Sequence, residues 1–263
     1  MANICKTEAI VLKGMRYKES SRIVSLYTKK FGRVTVVARG IRRPKSRFGS
    51  SLEPLTVSNI VFYRKERKGL YSISEADIVR DHAGIRNDLE RMSTAYVIVD
   101  FLDAANPEET PNLRLFALAD SMLDSVEELP SGSLDVILWT FLIRAAEMLG
   151  YAPVFDHCVK CKERKEKMGF NPSLGGAVCP ECTLGEGDVW RIRRDSLDLM
   201  SRLARGAQEE IWREKSSPEQ AREISEVLRA HLLYHTERNL RSFDFRKSLE
   251  ASKDSCLKPW KQL

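Results

Sequence analysis

The chain has 263 residues, of which 43% are hydrophobic and 30% charged, with a formal net charge of +6 at pH 7; this suits one to three folded domains of roughly 100–200 residues each. No apolar run approaches the ~20 residues that a bilayer-crossing helix needs, which argues against a helical membrane protein. The charge is unevenly spread: residues 1–80 carry 18 Lys and Arg against 6 Asp and Glu, and the remainder 25 against 31, a sign reversal that predicts a polyanionic partner for the basic part.

The opening "MANICKTEAIVLKG" places only Ala9 to Leu12 together as an apolar run before Lys13. It lacks the longer apolar stretch and small-residue cleavage site of a secretory signal, so a cytoplasmic protein is expected. Through residue 80 the pattern is short and frequently broken. "AIVLK", "RIVSLYT", "GRVTVVARG", "LTVSNIVFYR" and "LYSIS" are rich in Val, Ile, Tyr and Thr, and several alternate with period two, the signature of half-buried strands. Five strands in this span predict an OB-like barrel over 1–80, whose loops and open sheet face are suited to binding single strands; an SH3-like barrel fits the pattern almost as well. Between the third and fourth strands "ARGIRRPKSRF" holds Arg39, Arg42, Arg43, Lys45 and Arg47 with no acid, punctuated by Gly40, Pro44 and Gly49. This is a basic loop.

From residue 84 apolar residues recur at helical spacing in "IRNDLERMSTAYVIVDFLDAA",. Thr110-Pro111 reads as an N-cap with Pro at the first helical position, opening "NLRLFALADSMLDSVEEL",. "SLDVILWTFLIRAAEMLG" is apolar on most faces, as the central helix of a bundle would be, and ends at Gly150,. Ser217-Pro218-Glu219-Gln220 carries a capping box at the start of a late helix,. A helical domain over 81–150 and 188–250 is expected, with residues 251–263 as a frayed tail.

Between the helices, Cys158-x2-Cys161 and Cys179-x2-Cys182 are separated by 17 residues, within the spacing of four-cysteine zinc sites. Each pair is able to turn both thiolates toward one ion, and Gly175-Gly176 supplies a hairpin that returns the second pair to the first. Four cysteines would close the zinc tetrahedron and leave no position for water, so the metal is expected to staple an insert over 151–187 rather than do chemistry. His157 is the alternative ligand. His231 and His235 stand at i, i+4, which is ligand spacing, but with no acid or Cys motif nearby they read as ordinary helix residues.

No P-loop, G-x-G-x-x-G turn or G-x-S-x-G elbow is present,. The carboxylates of the basic part are scattered, whereas a metal-dependent nuclease clusters them. The expectation is a protein that is not an enzyme; a zinc enzyme with an open site is the competing reading.

The barrel segment "VLKGMRYKESSRIVSLYTKKFGRVTVVARGIRRPKSRF", the insert "GGAVCPEC" and the late "HLLYHTERNLRSFDF" together resemble the RecO family of bacterial DNA repair proteins across nearly the whole chain. The resemblance implies an α+β multidomain architecture and a recombination mediator. Such a protein binds single- and double-stranded DNA, anneals complementary strands, works with RecR, and helps load RecA onto DNA coated by single-strand-binding protein. Some members lack the zinc cysteines. On this reading the basic loop contacts phosphates, Arg64, Lys65, Arg67 and Lys68 form a second cluster, and Phe48 is the leading candidate to stack on bases among the aromatic residues of the barrel. The acidic tail of single-strand-binding protein would dock on the helical domain, with Arg238, Arg241, Arg246 and Lys247 as contacts for that tail or for DNA, and the protein would be cytoplasmic and nucleoid-associated. A zinc-stapled regulator that recognises one nucleic-acid sequence or structure is the alternative.

Overall fold

The structure is a computed structural model that describes residues 3–64, 69–105, 109–183 and 187–256, with side chains described through residue 249. It divides into two compact units, Met1–Glu127 and Glu128–Leu263.

The first unit opens with five strands: β1 (Asn3–Tyr17), β2 (Ser21–Thr28), β3 (Gly32–Ala38), β4 (Val57–Arg64) and β5 (Leu70–Arg80). They close into a barrel in the order β1-β2-β3-β5-β4, with β5 parallel to β3 and every other pair antiparallel. This Greek-key return is that of the OB fold and sets aside the SH3-like alternative. β1 serves two neighbours, pairing β4 over Asn3–Ile10 and β2 over Ala9–Tyr17; an irregularity between Val11 and Lys13 bends it around the barrel,. Inward residues at period two, among them Val24, Leu26, Val34, Val36, Phe62 and Ile73, fill the interior,.

Three helices follow in the same unit: α1 (Ala83–Arg86), α2 (Leu89–Ala105) and α3 (Leu113–Glu128). They pack on the barrel, so the composition change at residue 80 does not divide this compact unit. Asp103 of α2 takes Lys13 at 2.5 Å, Ser25 at 2.8 Å and Arg33 at 3.5 Å. The Tyr27 ring lies on Phe116 of α3 at 6.4 Å. His82, in the left-handed region, holds the Leu55 carbonyl at 2.8 Å and Asp124 at 3.0 Å. The cap of α3 is Asn112, whose Oδ1 accepts from the Leu115 N–H at 3.0 Å; Thr110 and Pro111 precede it, because an Asn side chain reaches the third backbone N–H as well as a Thr would.

The second unit contains α4 (Leu134–Met148), the small strands β6 (Met168–Asn171), β7 (Gly176–Val178) and β8 (Trp190–Ile192), then α5 (Arg194–Arg205), α6 (Gln208–Ile211), α7 (Pro218–Thr236) and α8 (Arg241–Cys256). α4 is buried along most of its length and packs against α5 and α7, with the Trp139 indole N–H donating to Ser225 Oγ at 3.1 Å. Ser217 and Gln220 form the expected reciprocal capping box on α7,. α8 runs through Cys256 and so takes in the first six residues of the stretch read as a tail. No helix among the described residues is long and apolar enough to cross a membrane.

Candidate nucleic-acid interface and metal centre

The segment between β3 and β4 contains alternating demands: apolar residues at Ile41, Phe48, Leu52 and Leu55, and five cations from Arg39 to Arg47. A succession of short turns satisfies both. Arg43 N–H bonds Gly40 O, Ser46 bonds Arg43 O, Ser51 bonds Phe48 O and Glu53 bonds Ser50 O, at 2.9–3.1 Å. The turns point Phe48 and Leu52 into the barrel interior with Ile41 packed against them, while Arg39, Arg42, Arg43, Lys45 and Arg47 stay exposed. The loop is a plug with a cationic outer surface.

That surface is fixed in place. The Arg42 N–H donates to Ser20 O at 3.1 Å and its guanidinium to Glu19 O at 3.0 Å, which ties the loop to the turn joining β1 and β2. Among the described residues no carboxylate lies in ion-pair range of Arg39, Arg43, Lys45 or Arg47, and the nearby Glu53 is taken by Arg22 at 2.8 Å. Like charges left unpaired at this density raise the local potential that a phosphate backbone meets.

Three expectations change. Phe48 is 3% exposed, with the Arg47 guanidinium 5.1 Å over its ring; its ring fills the barrel and is not presented to a base. Arg64 is bound to Glu109, which also accepts from the Tyr71 hydroxyl, and it lies 5.9 Å over the Phe31 ring, so its charge, unlike those of the loop, is already paired. Lys65, Arg67 and Lys68 lie outside the described residues. The sheet face expected to be open is also covered, since Ser25, Tyr27 and Arg33 on the outer face of β2 and β3 meet Asp103 and Phe116 of the first unit's own helices. The helices leave other parts of the barrel surface uncovered, among them the end of β1 nearest the cationic loop, where Met15 and Tyr17 are exposed. In the sequence Tyr17 is one of several barrel aromatics with nothing local to single it out, because its exposure depends on where α2 stops covering the sheet.

The four cysteines of the second unit do converge: the Sγ atoms of Cys158, Cys161, Cys179 and Cys182 all lie within 4.8 Å of one another. The local backbone explains it. Val154 and Val159 pair with the chain around Gly175–Ala177, and Gly176 is required because a Cβ there would stand 2.7 Å from Val154 O and 2.6 Å from Val159 Cγ1. Gly175, at φ +71°, closes the turn between β6 and β7,. Burial opposes ionisation of Cys158, yet backbone N–H groups of Cys161, Cys179 and Lys160 outweigh it and bring the thiol down to about 6. Burial pushes Cys179 up to about 12. Neighbouring thiols so disposed accept one negative charge readily and further ones only with a cation among them, and a four-sulfur set within this distance suits a soft tetrahedral ion. His157 turns to Asp156 at 2.8 Å and stands outside the cluster.

His231 and His235 belong to an aromatic cluster. His231 is fully buried, with Nε2 2.9 Å from Tyr151 O, and the Tyr151 ring stacks on His235 at 4.9 Å. On α8, Arg246 binds Asp135 and Lys247 lies 3.3 Å from Glu226, whereas Arg238 and Arg241 are exposed.

Comparison with known proteins adds an independent line. Residues 1–82 match the family described as "Recombination protein O N terminal" and residues 86–244 the family described as "Recombination protein O C terminal". Similar curated proteins include "DNA repair protein RecO" of Thermoanaerobacter sp. (strain X514), 30% identical over 94% of this chain and 98% of that protein. The protein of the same name from Symbiobacterium thermophilum is 32% identical over 94% and 98%. That of Syntrophus aciditrophicus (strain SB) is 36% identical over 67% and 69%.

Proposed function

Because this chain belongs to the RecO family of recombination and DNA repair proteins, we propose that it acts as a recombination mediator. It binds single- and double-stranded DNA, anneals complementary strands and, together with RecR, helps load RecA onto DNA coated by single-strand-binding protein. The observation that supports this most directly is the loop from Arg39 to Arg47, whose exposed cations lack acidic partners among the described residues and are tied through Arg42 to the β1–β2 turn. Two DNA strands repel each other; a surface that neutralises their phosphates lowers that barrier while base edges stay free to pair. Annealing of this kind needs neither sequence recognition nor bond-making by the protein. On the second unit, Arg238 and Arg241 are the cations suited to the acidic tail of single-strand-binding protein.

Cys158, Cys161, Cys179 and Cys182 would hold Zn²⁺ as a structural ion. When bound, it supplies a closed four-sulfur crosslink and no open position for a reacting group. The chain's own part is to bring two turns together through Gly175 and Gly176 and to offer Cys158 as the first thiolate.

The test is fluorescence anisotropy of a labelled single-stranded oligonucleotide across a salt series, comparing wild type with Arg42, Arg43 and Arg47 changed to Ala. Each phosphate contact on a single strand contributes about 0.7 to the slope of log K against log salt, so the triple variant is expected to lose about two. Equal slopes and affinities would remove the loop from the DNA path.

A further inference from the structure

On the outer face of β1, Lys13, Met15 and Tyr17 follow one another at period two,. Asp103 of α2 engages Lys13, and the helical cover ends there: Met15 is 62% exposed and Tyr17 36%. Single exposed apolar side chains are ordinary on protein surfaces. These two are neighbours on one strand face, and Tyr17 leads directly into the Lys18–Ser20 turn to which the cationic loop is bonded. Lys18 Nζ stands 5.5 Å from the Tyr17 ring centroid, so the ring is flanked by a cation, and no other described ring packs on it.

We propose that Met15 and Tyr17 form a stacking platform for the bases of single-stranded DNA, and that this platform, rather than the cations, makes the surface prefer unpaired strands. The proposal rests on the reading of the Arg39–Arg47 loop as a phosphate contact and adds what the loop alone does not supply. Cations recognise backbone phosphates, which single strands and duplexes share. In a duplex the π-faces of the bases are already stacked on each other; in a single strand they are free to lie on an aromatic ring. A polarizable thioether next to that ring adapts to whichever base is present. The result is a sequence-tolerant preference for single strands, suited to a protein that must hold a strand without reading it.

The experiment measures binding of the full chain to three labelled probes of equal length at one salt concentration: a thymidine oligonucleotide, the same backbone made abasic, and a duplex. Tyr17→Leu is expected to lose about tenfold on the thymidine oligonucleotide, in keeping with the alanine-substitution cost of one base–aromatic stack. It should leave the abasic and duplex affinities unchanged, and Tyr17→Phe, which keeps the ring, should bind like wild type. Wild-type affinity of Tyr17→Leu for the thymidine strand, or equal losses on all three probes, overturns the platform. The salt slope separates this from the underlying reading. If the Arg42, Arg43, Arg47 variant keeps the wild-type slope, the loop is not a DNA contact and both fall; if it loses slope while Tyr17→Leu does not discriminate among probes, only the platform falls.

Discussion

Replacing Phe48 by Ala tests whether the loop is a plug or a presentation site. The ring is 3% exposed within the barrel core. A Phe side chain buries about 150–250 Å², which at ~25 cal/mol per Å² is worth about 4–6 kcal/mol. A compact unfolded chain already hides part of that area, and measured Phe→Ala costs in cores run about 3–5 kcal/mol. We therefore expect a loss of about 4 kcal/mol, to which the displaced Arg47 guanidinium, 5.1 Å from the ring, adds up to about 1 kcal/mol. For a unit of this size each kcal/mol lowers the midpoint by roughly 3–5 °C. The tryptophans of the described residues, Trp139, Trp190 and Trp212, lie in the second unit, and the first has none. The readout is therefore thermal and urea unfolding by far-UV circular dichroism, with hydrogen exchange in β1–β5 locating the loss. Arg43→Ala, by contrast, should leave stability within about 0.5 kcal/mol and weaken DNA binding. A Phe48→Ala protein that unfolds like wild type but binds single strands poorly would refute the reasoning and return Phe48 to the DNA surface.

Zinc analysis is expected to find one ion per chain with four sulfur ligands near 2.3 Å by X-ray absorption, and Cys179→Ser to lose it and lower the urea midpoint; a native, metal-free wild type would contradict this. Gly176→Ala drives a Cβ to 2.7 Å from Val154 O, which should cost about 1–3 kcal/mol and reduce zinc occupancy, measured by mass spectrometry of the native protein. Burial depresses His231 to about 4, with the Tyr151 carbonyl opposing and His235 adding to the shift. The unfolded chain thus takes up this proton first, near pH 6.5. Stability present above pH 6.5 is lost as pH falls toward 4, by about 2 kcal/mol between pH 7 and 5 at roughly 1.4 kcal/mol per unit. Urea midpoints at those two pH values should converge in His231→Gln relative to wild type; an unchanged difference would show that this imidazole does not carry the acid sensitivity.

Much of this was legible from local chemistry. Strand alternation in "GRVTVVA", the Ser217–Gln220 box and the C-x2-C pairs each depend on neighbours within a few residues, and all formed as read. Asn112 displaced Thr110 as the cap because both are competent and only the helix's final start chooses between them. Phe48 misled for a different reason. A phenylalanine among five cations is equally consistent with a ring offered to bases and a ring withdrawn from water, and nothing local separates the two.

The sequence by itself determined the barrel, the helical second half, the clustered cysteines and the concentration of positive charge, since periodicity, caps and ligand spacing act over short stretches of chain. Tertiary structure alone decided which of those features face the solvent. Asp103 and Phe116 cover the outer face of β2 and β3, Glu109 takes Arg64, and the loop turns Phe48 inward while tying its cations to the β1–β2 turn. These outcomes join residues about 20 to 90 positions apart, and the energy of burying a ring or pairing a charge is realised only when such distant groups meet.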